Sequence, residues 1–300
     1  MDVSELSIVL ANLKQNILPS KETLIKIIST AISIFENEEN LIETKGSYAI
    51  VGDLHGHFFD FLNMLDLIDP NKNLIFLGDY VDRGLNSVEL IIYLITMKAI
   101  NPEKIIMIRG NHENRVQTSV YGFQEECTIK YDLYIYWKFC ELFEYLPVAV
   151  IVNQKYFCVH GGIKPDLSLD WIKNNDRLQE FSELSSLFWG DPTDDIEYFT
   201  ESSRGAGYLY GCKAVEEFLK SINCEFLIRS HQLVFNGIEE KLNGKCITVW
   251  SAPNYCYKCK NIAAFINLTS QGHEYIFFKH VEQQYMQHQK IQNNHFINNC

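Results

Sequence analysis

Short apolar runs, rich in β-branched and aromatic residues, recur through the middle of the chain. They occupy residues 48–51, 74–77, 105–108, 156–159, 226–228 and 246–250, and each ends on a glycine or directly on polar side chains. Continuous apolar runs of this length are typical of strands that are buried on both faces. The pattern therefore predicts a buried sheet whose strands end in polar loops.

Longer segments with apolar residues at three- and four-residue spacing predict helices. Residues 58–68 and 87–100 lie between predicted strands, whereas 3–16 and 21–36 precede them, the latter behind a Ser20 cap. We therefore expect an α/β fold, a central β-sandwich flanked by helices. The predicted domains are a helical lead over residues 1–44, one main domain over 45–281 and a tail over 282–300. The tail is rich in Gln and Asn, and we expect it to add nothing to folding.

The charge balance of the 300 residues is acidic, with 26 Lys and Arg against 38 Asp and Glu and a formal net charge of −12. Affinity for nucleic acid comes largely from clustered basic groups, so we expect no nucleic-acid partner. No apolar run approaches the roughly 20 residues that span a bilayer, and no secretory signal is recognisable. We therefore expect no membrane partner and an intracellular protein.

The nine cysteines are expected to be reduced thiols, because the chain shows no export signal. Cys256 and Cys259 form one C-x-x-C pair. A structural zinc site needs a second ligand pair, and none follows. We therefore interpret the two residues as ordinary loop thiols.

Oxygen and imidazole donors follow the predicted strands: Asp53, His55, Asp79, Asn111, His160 and His231. Divalent cations prefer such ligands, and two ions held about 3.5–4 Å apart need a carboxylate that bridges them. Glycines beside the donors, such as Gly52, Gly78 and Gly110, allow the sharp turns that bring several loops together. Any one donor alone is more often a turn or core residue, but their joint arrangement indicates a metal site.

Seven motifs give the chain a resemblance to a known family. They are G-D-x-H-G at 52–56, G-D-Y-V-D-R-G at 78–84, R-G-N-H-E at 109–113, H-G-G at 160–162, R-G-A-G at 204–207, H-Q at 231–232 and S-A-P-N-Y-C at 251–256. Together they resemble the phosphoprotein phosphatase family of serine/threonine phosphatases, over about residues 20–280. Segments 120–123 and 256–259 are more similar to its type 2A branch, with types 4 and 6, than to the type 1 or calcineurin branches. The resemblance implies a calcineurin-like metallophosphoesterase fold and hydrolysis of phosphoserine and phosphothreonine esters.

The resemblance also implies two divalent metal ions as cofactors, with Mn²⁺ expected in vitro and iron or zinc as alternatives in the cell. Six residues would share the ions: Asp79 as the bridge, Asp53 and His55 on one side, and Asn111, His160 and His231 on the other. A hydroxide held between the ions would attack phosphorus directly, and no phosphoenzyme would form.

In the same resemblance, His112 would be the general acid that protonates the leaving serine or threonine oxygen, with Asp82 orienting it. The residues that would bind the substrate phosphate or line its site are Arg83, Arg204, Asn111 and Tyr255. The implied partners are phosphoprotein substrates, scaffold or regulatory subunits of the type 2A kind, and the inhibitors okadaic acid and microcystin. The expected location is the cytoplasm, with the nucleus as a second compartment.

Several residues depart from the type 2A pattern. His57 stands where Gln is usual, Asn114 where Ser is usual, Lys164 where Ser is usual and Lys260 where Gly is usual. None is an implied metal ligand, so the departures concern substrate preference and loop shape. The sequence ends at Cys300 rather than on the leucine that type 2A enzymes carboxymethylate, so assembly that depends on that methyl ester cannot be assumed.

Two alternatives stay open at this point. A dinucleoside-tetraphosphate hydrolase of the symmetrical type shares the first two motifs, but it usually carries G-N-H-D where this chain has Glu113. The other is a catalytically inactive phosphatase fold that serves as an interaction module. Loss of a metal ligand or of His112 would favour it, and all of these residues are present.

Overall fold

The computed structural model of the protein describes residues 1–178, 183–269 and 271–284. Its helices are α1 (Val3–Lys14), α2 (Lys21–Glu36), α3 (Phe58–Leu67), α4 (Ser87–Ile100), α5 (Arg115–Val120), α6 (Phe123–Lys130), α7 (Leu133–Glu144), α8 (Leu169–Asn174) and α9 (Cys212–Ser221). Its strands are β1 (Leu41–Thr44), β2 (Tyr48–Val51), β3 (Asn73–Phe76), β4 (Ile105–Met107), β5 (Ala149–Val152), β6 (Tyr156–Val159), β7 (Asp191–Pro192), β8 (Phe199–Glu201), β9 (Tyr208–Tyr210), β10 (Phe226–Arg229), β11 (Ile238–Lys241), β12 (Cys246–Val249), β13 (Ala263–Thr269) and β14 (Gly272–Phe278). None of the described helices has the length and apolar character needed to cross a membrane.

Within the described residues, the strands form two large sheets and one small one. A five-stranded sheet has the order β14-β13-β2-β3-β4, and a six-stranded sheet has the order β1-β5-β6-β10-β12-β11. Strands β2, β3 and β4 run parallel, as do β6, β10 and β12. Because the carboxyl ends of parallel strands meet at one edge of a sheet, the loops that follow them are gathered together.

The core between the two sheets is built from alternate residues of their strands. Ile50 and Ile75 of the five-stranded sheet pack in one buried cluster with Val150, Ile228 and Val249 of the six-stranded sheet. Successive strand residues point to opposite faces, so their neighbours face outwards and are covered by helices. The two sheets therefore form a sandwich with helices on both outer surfaces, which confirms the predicted fold class.

The helical lead packs on α4, which lies between it and the five-stranded sheet. In α2, buried Leu24, Ile27, Ile28, Ala31 and Phe35 recur at helical spacing and join the cluster that contains α1 and α4. Large apolar side chains of this kind contribute about 1.5–3 kcal/mol each when they are fully buried. As predicted, Ser20 caps α2: its Oγ accepts a hydrogen bond from the Thr23 amide at 3.2 Å.

The bounds of the lead and of the tail differ from the predicted ones. Leu41–Thr44 belongs to the sheet as β1, parallel to β5, so the helical part of the lead ends before it. Residues 282–284 are helical, and Gln284 is buried. The prediction that nothing from 282 onwards contributes to folding is therefore wrong for Gln284. Residues 285–300 of the predicted tail lie outside the described residues.

Candidate metal centre

The predicted donors meet at the ends of strands from both large sheets. Asp53 follows β2, Asp79 follows β3 and Asn111 follows β4, whereas His160 and His231 follow β6 and β10. An isolated parallel bridge between Asp53 and Trp250 joins the end of β2 to the end of β12. The site therefore lies across the carboxyl edge of the sandwich, and each sheet supplies part of it.

Two glycines let the loops after β3 and β4 touch. Gly78 has a left-handed φ of +102°, and a Cβ there would lie 2.4 Å from the Gly110 nitrogen. A Cβ at Gly110 would lie 2.3 Å from Asp79 Oδ1. Both distances are too short for a side chain, so glycine at these positions lets Asp79 sit directly against the neighbouring loop.

The first cluster contains Asp53, His55 and Asp79, all buried. His55 Nε2 lies 3.5 Å from Asp53 Oδ2 and 3.5 Å from Asp79 Oδ2. The other ring nitrogen, Nδ1, lies 2.8 Å from the Val81 carbonyl oxygen. Because that carbonyl can only accept, Nδ1 carries the proton and Nε2 can present a lone pair to a cation. Burial lowers the pKa of His55, but the two carboxylates outweigh it and raise the pKa to about 9, so a cation that binds at Nε2 would displace a proton.

The second cluster is organised around the side-chain oxygen of Asn111. Asn111 Oδ1 lies 2.8 Å from His160 Nε2 and 2.8 Å from His231 Nδ1. His160 Nδ1 lies 2.8 Å from the Leu77 carbonyl oxygen, which leaves Nε2 for a cation by the same argument. Burial lowers the pKa of His160, yet Asp79 and Asp53 raise it overall. The pKa of His231 lies well below its usual value because of burial, His160 and Arg229.

Asp79 stands between the two clusters. Its Oδ2 faces His55, and its Oδ1 lies 3.4 Å from His160 Nε2 and accepts a hydrogen bond of 2.8 Å from the His112 amide. Potential ligand atoms group as His55, Asp79 and His112, and as Asp79, His160 and His231, each set lying within 4.8 Å. Burial raises the pKa of Asp79, but His160, His112 and His55 hold it well below its usual value. A carboxylate shared in this way is what a dinuclear site needs.

His112 and Asp82 form a buried pair beside the first cluster. His112 Nδ1 lies 2.6 Å from Asp82 Oδ2, and Asp82 Oδ1 accepts a hydrogen bond of 3.0 Å from the Phe123 amide. The His112 ring meets the His55 ring edge-on, with 4.8 Å between centroids. Both carboxylate oxygens of Asp82 are therefore engaged, so its side chain fixes the orientation of His112.

The predicted phosphate-binding side chains are linked to this centre by contacts with its residues or their neighbours, as the Tyr121 ring, 5.2 Å from the His112 ring, links Arg83. The Arg83 guanidinium lies 3.9 Å from the centroid of the Tyr121 ring. Arg204 Nε donates to Asp191 Oδ2 at 2.6 Å. The Tyr255 ring lies 5.3 Å from the His55 ring and 4.9 Å from the Trp250 ring. The structure thus places Tyr255 against the first cluster and Arg204 against the second through Asp191, which lies 3.9 Å from His231 Nε2.

Two acidic residues of the site, Glu113 and Asp191, are not indicated by the sequence pattern alone. Glu113 accepts hydrogen bonds from the amides of Asp79, Tyr80 and Gly110 at 2.7, 2.8 and 2.9 Å. Burial and the nearby Asp79 raise its pKa to about 7. Asp191 accepts from Arg204 and also, at 2.9 Å, from Arg229. Glu113 belongs to the R-G-N-H-E motif, so its place in that motif could have indicated a role in the site. Asp191, in W-G-D-P, belongs to none of the motifs and nothing in the sequence indicates its role.

The residues present fit a pair of divalent cations. Asp53 Oδ2 and His231 Nε2 are buried and have no hydrogen-bond partner among the described residues. Leaving a carboxylate oxygen in this state is costly unless a cation binds it. The donor set is made of oxygen and imidazole nitrogen only, which suits manganese, iron or zinc. Cys256 and Cys259 are free thiols of intermediate exposure.

The chain is similar in sequence to known phosphoesterases. Residues 46–235 match the family model described as calcineurin-like phosphoesterase. The chain is 43% identical over 269 residues to a catalytic subunit of protein phosphatase 2A from Dictyostelium discoideum, covering 87% of this chain and 86% of that protein. It is 38% identical over 288 residues to the catalytic subunit of serine/threonine-protein phosphatase 4 from Saccharomyces cerevisiae, covering 93% of both.

Solved structures show the same likeness in three dimensions. A protein serine/threonine phosphatase from Saccharomyces cerevisiae, described as similar to human phosphatase PP5, superposes with a TM-score of 0.88 at 30% identity and covers 94% of this chain and 97% of that one. A cold-active protein-tyrosine phosphatase of a psychrophilic Shewanella superposes with a TM-score of 0.61 at 15% identity, covering 83% and 84%. The second likeness concerns the fold alone.

Proposed function

From the premise that this chain belongs to the calcineurin-like phosphoesterases, within their serine/threonine protein phosphatases, we propose a role for each residue of the centre. The chain is a metal-dependent hydrolase of phosphoserine and phosphothreonine esters in proteins. The observation that carries the assignment of roles is the position of Asp79 between two donor clusters, with the His112–Asp82 pair beside it. A site for a single cation would need no such shared carboxylate.

We propose that Asp53, His55 and Asp79 hold one divalent cation, and that Asp79, Asn111, His160 and His231 hold the other. When bound, two such cations would supply a nucleophile by lowering the pKa of water and would neutralise charge on the phosphate. The chain itself holds Asp79 in place with the His112 amide. It also fixes the tautomers of His55 and His160 through the Val81 and Leu77 carbonyl groups. We propose manganese as the metal in vitro and iron or zinc in the cell, which the donor set supports.

Arg83 and Arg204 bind the phosphate oxygens in this proposal, because a guanidinium group is always charged and matches phosphate bidentately. Asp191 accepts the Arg204 Nε–H, so the two terminal nitrogens of that side chain stay available to substrate. Asn111 and Tyr255 complete the lining of the phosphate site. Tyr255 is held between the rings of His55 and Trp250, which limits its motion.

His112 delivers the proton to the leaving oxygen. Because Nδ1 faces Asp82 at 2.6 Å, the proton transferred to substrate comes from Nε2. The buried Asp82 carboxylate stabilises the protonated ring before transfer and keeps it oriented. General acid catalysis of this kind is worth about 10²–10⁴-fold in rate.

The relatives are named as catalytic subunits, and we propose that this chain also works with regulatory subunits. Its okadaic acid and microcystin sensitivity is proposed on the same basis, with the S-A-P-N-Y-C loop at 251–256 as the contact region. The expected outcome with purified protein is Mn²⁺-dependent release of phosphate from a phosphothreonine peptide. Turnover of a dinucleoside tetraphosphate in place of the peptide would contradict the proposed substrate, and no turnover of either would support the inactive-module alternative.

A further inference from the structure

The segment of residues 281–284, here called the strap, follows β14 and lies against the first turn of α3 and the loops that contain Asn86 and Tyr257. Gln284 is 1% exposed. Its Oε1 accepts a hydrogen bond of 2.9 Å from the Phe59 amide in the first turn of α3. Its Nε2 lies 3.2 Å from Asn86 Oδ1 and 3.2 Å from the Tyr257 hydroxyl. A buried amide is tolerated when its polar atoms are satisfied in this way.

A second connection runs through Asp60. The Val281 amide donates to Asp60 Oδ1 at 2.6 Å, and Asp60 Oδ2 lies 3.1 Å from His57 Nδ1. The His57 ring stacks on the Tyr257 ring, with 4.9 Å between centroids and 17° between planes. The strap therefore reaches Tyr257 twice, directly through Gln284 and indirectly through Asp60 and His57.

Tyr257 in turn connects two substrate-binding loops. Its hydroxyl accepts a hydrogen bond of 2.9 Å from the Leu85 amide, two residues after Arg83. Tyr257 itself lies two residues after Tyr255, and its φ of +62° and the φ of +51° at Cys256 are left-handed. Residues other than glycine adopt this left-handed backbone conformation only when surrounding contacts enforce it. Arg83 has the same left-handed backbone conformation, with a φ of +69°.

We infer that Gln284 is a positioning residue that holds Tyr255 and Arg83 in their substrate-binding arrangement. The inference rests on the roles proposed above for those two residues. Within the described part of the chain, the hydrogen-bond partners of Gln284 include no proposed metal ligand. The ligands have contacts of their own, such as those of His55, His160 and Asp53. Loss of the Gln284 hydrogen bonds therefore perturbs substrate binding and leaves the metal site filled.

The test compares Gln284→Met with Gln283→Met in the full chain. Methionine keeps the length of the buried side chain but removes its hydrogen bonds, and Gln283 is exposed. For Gln284→Met we expect two metal ions per chain, as in the unaltered protein. The KM for a phosphothreonine peptide should rise on the order of three- to tenfold, because the net free energy of one hydrogen bond corresponds to a fold-change of that size. Amide hydrogen exchange should accelerate in segments 83–86 and 254–258. Gln283→Met should match the unaltered protein in all three measurements.

A second variant keeps the test decisive if Gln284→Met folds poorly. Tyr257→Phe removes the shared hydroxyl from the other side and retains the ring that stacks on His57. It should accelerate hydrogen exchange of the Leu85 amide. In the double variant that carries both substitutions, the increase in KM should be smaller than the two single effects predict together. Unchanged KM and unchanged exchange in both variants would overturn the inference. If the unaltered protein itself fails to hydrolyse the peptide, the proposed function is wrong, while the exchange data still decide whether the strap orders the two loops.

Discussion

Replacing His112 with asparagine tests the general acid without removing the contact that orients the bridging carboxylate. The bond to Asp79 Oδ1 comes from the backbone amide of residue 112 and persists in the variant. An asparagine amide can also donate to Asp82, so that carboxylate is not left without a partner. What the variant loses is the group that can give a proton to the leaving oxygen. Metal content should therefore stay at the level of the unaltered protein.

The expected size of the effect follows from the chemistry of the leaving group. A serine or threonine alkoxide is a poor leaving group, so the missing proton should lower kcat on a phosphopeptide by about 10²–10⁴-fold, or about 3–5 kcal/mol in barrier height. A p-nitrophenolate ion needs little protonation, so the same variant should lose less than about tenfold on p-nitrophenyl phosphate.

The assay measures kcat for both substrates in Mn²⁺-containing buffer, with metal content determined on the same samples. Asp82→Asn is a matched second variant, because it keeps the His112 ring and removes the neighbouring carboxylate charge that stabilises the protonated form of that ring. It should show the same preference for the aryl substrate, with a smaller deficit on the peptide. An equal loss of kcat on aryl and alkyl phosphates with full metal content would refute the acid assignment.

Four other outcomes are expected. Asp79→Asn should abolish turnover and lower metal content by elemental analysis, since a neutral amide bridges two cations poorly; two retained ions at full activity would contradict this. Gly110→Ala should lower Tm by several degrees in thermal unfolding, because its Cβ would lie 2.4 Å from the Asp79 nitrogen; an unchanged Tm would show that the loops can separate. Arg204→Lys should raise KM for phosphopeptide more than it lowers kcat, because one ammonium cannot both contact Asp191 and bind phosphate bidentately; an unchanged KM would contradict it. Okadaic acid and microcystin should inhibit phosphopeptide turnover in a dose-response assay, and activity at saturating toxin would reject the proposed sensitivity.

All six apolar runs that predict strands form strands in the structure, because each run is buried on both faces. The predicted run at 74–77 is observed as Asn73–Phe76, and the run at 246–250 as Cys246–Val249, so only the ends shifted. In contrast, Leu41–Thr44 is an edge strand with only Leu41 buried. A four-residue segment of mixed exposure carries no clear period. Its place in the sheet depends on pairing with β5, which is far along the chain.

The donors of the site could be predicted because they follow strands directly and stand in motifs. Asp191 could not, since its role comes from Arg204 and Arg229 reaching it in space. Gln284 was hidden for a different reason: a Gln-rich stretch predicts exposure on average, and composition cannot show that one amide fits between the Phe59 amide and the Tyr257 hydroxyl. Local pattern reports which residue types are present, whereas these two roles depend on long-range packing.

The division of the donors between the two sheets has a consequence for how the protein folds. The His231 amide donates to Asp53 Oδ1 at 3.0 Å, across 178 positions of the chain. Contacts between such distant residues form late, because closing so long a loop costs conformational entropy before any contact is gained. The complete ligand set therefore exists only after the sheets have docked. Cations that bind this last-formed arrangement stabilise the native state alone, and they should slow unfolding more than they accelerate folding.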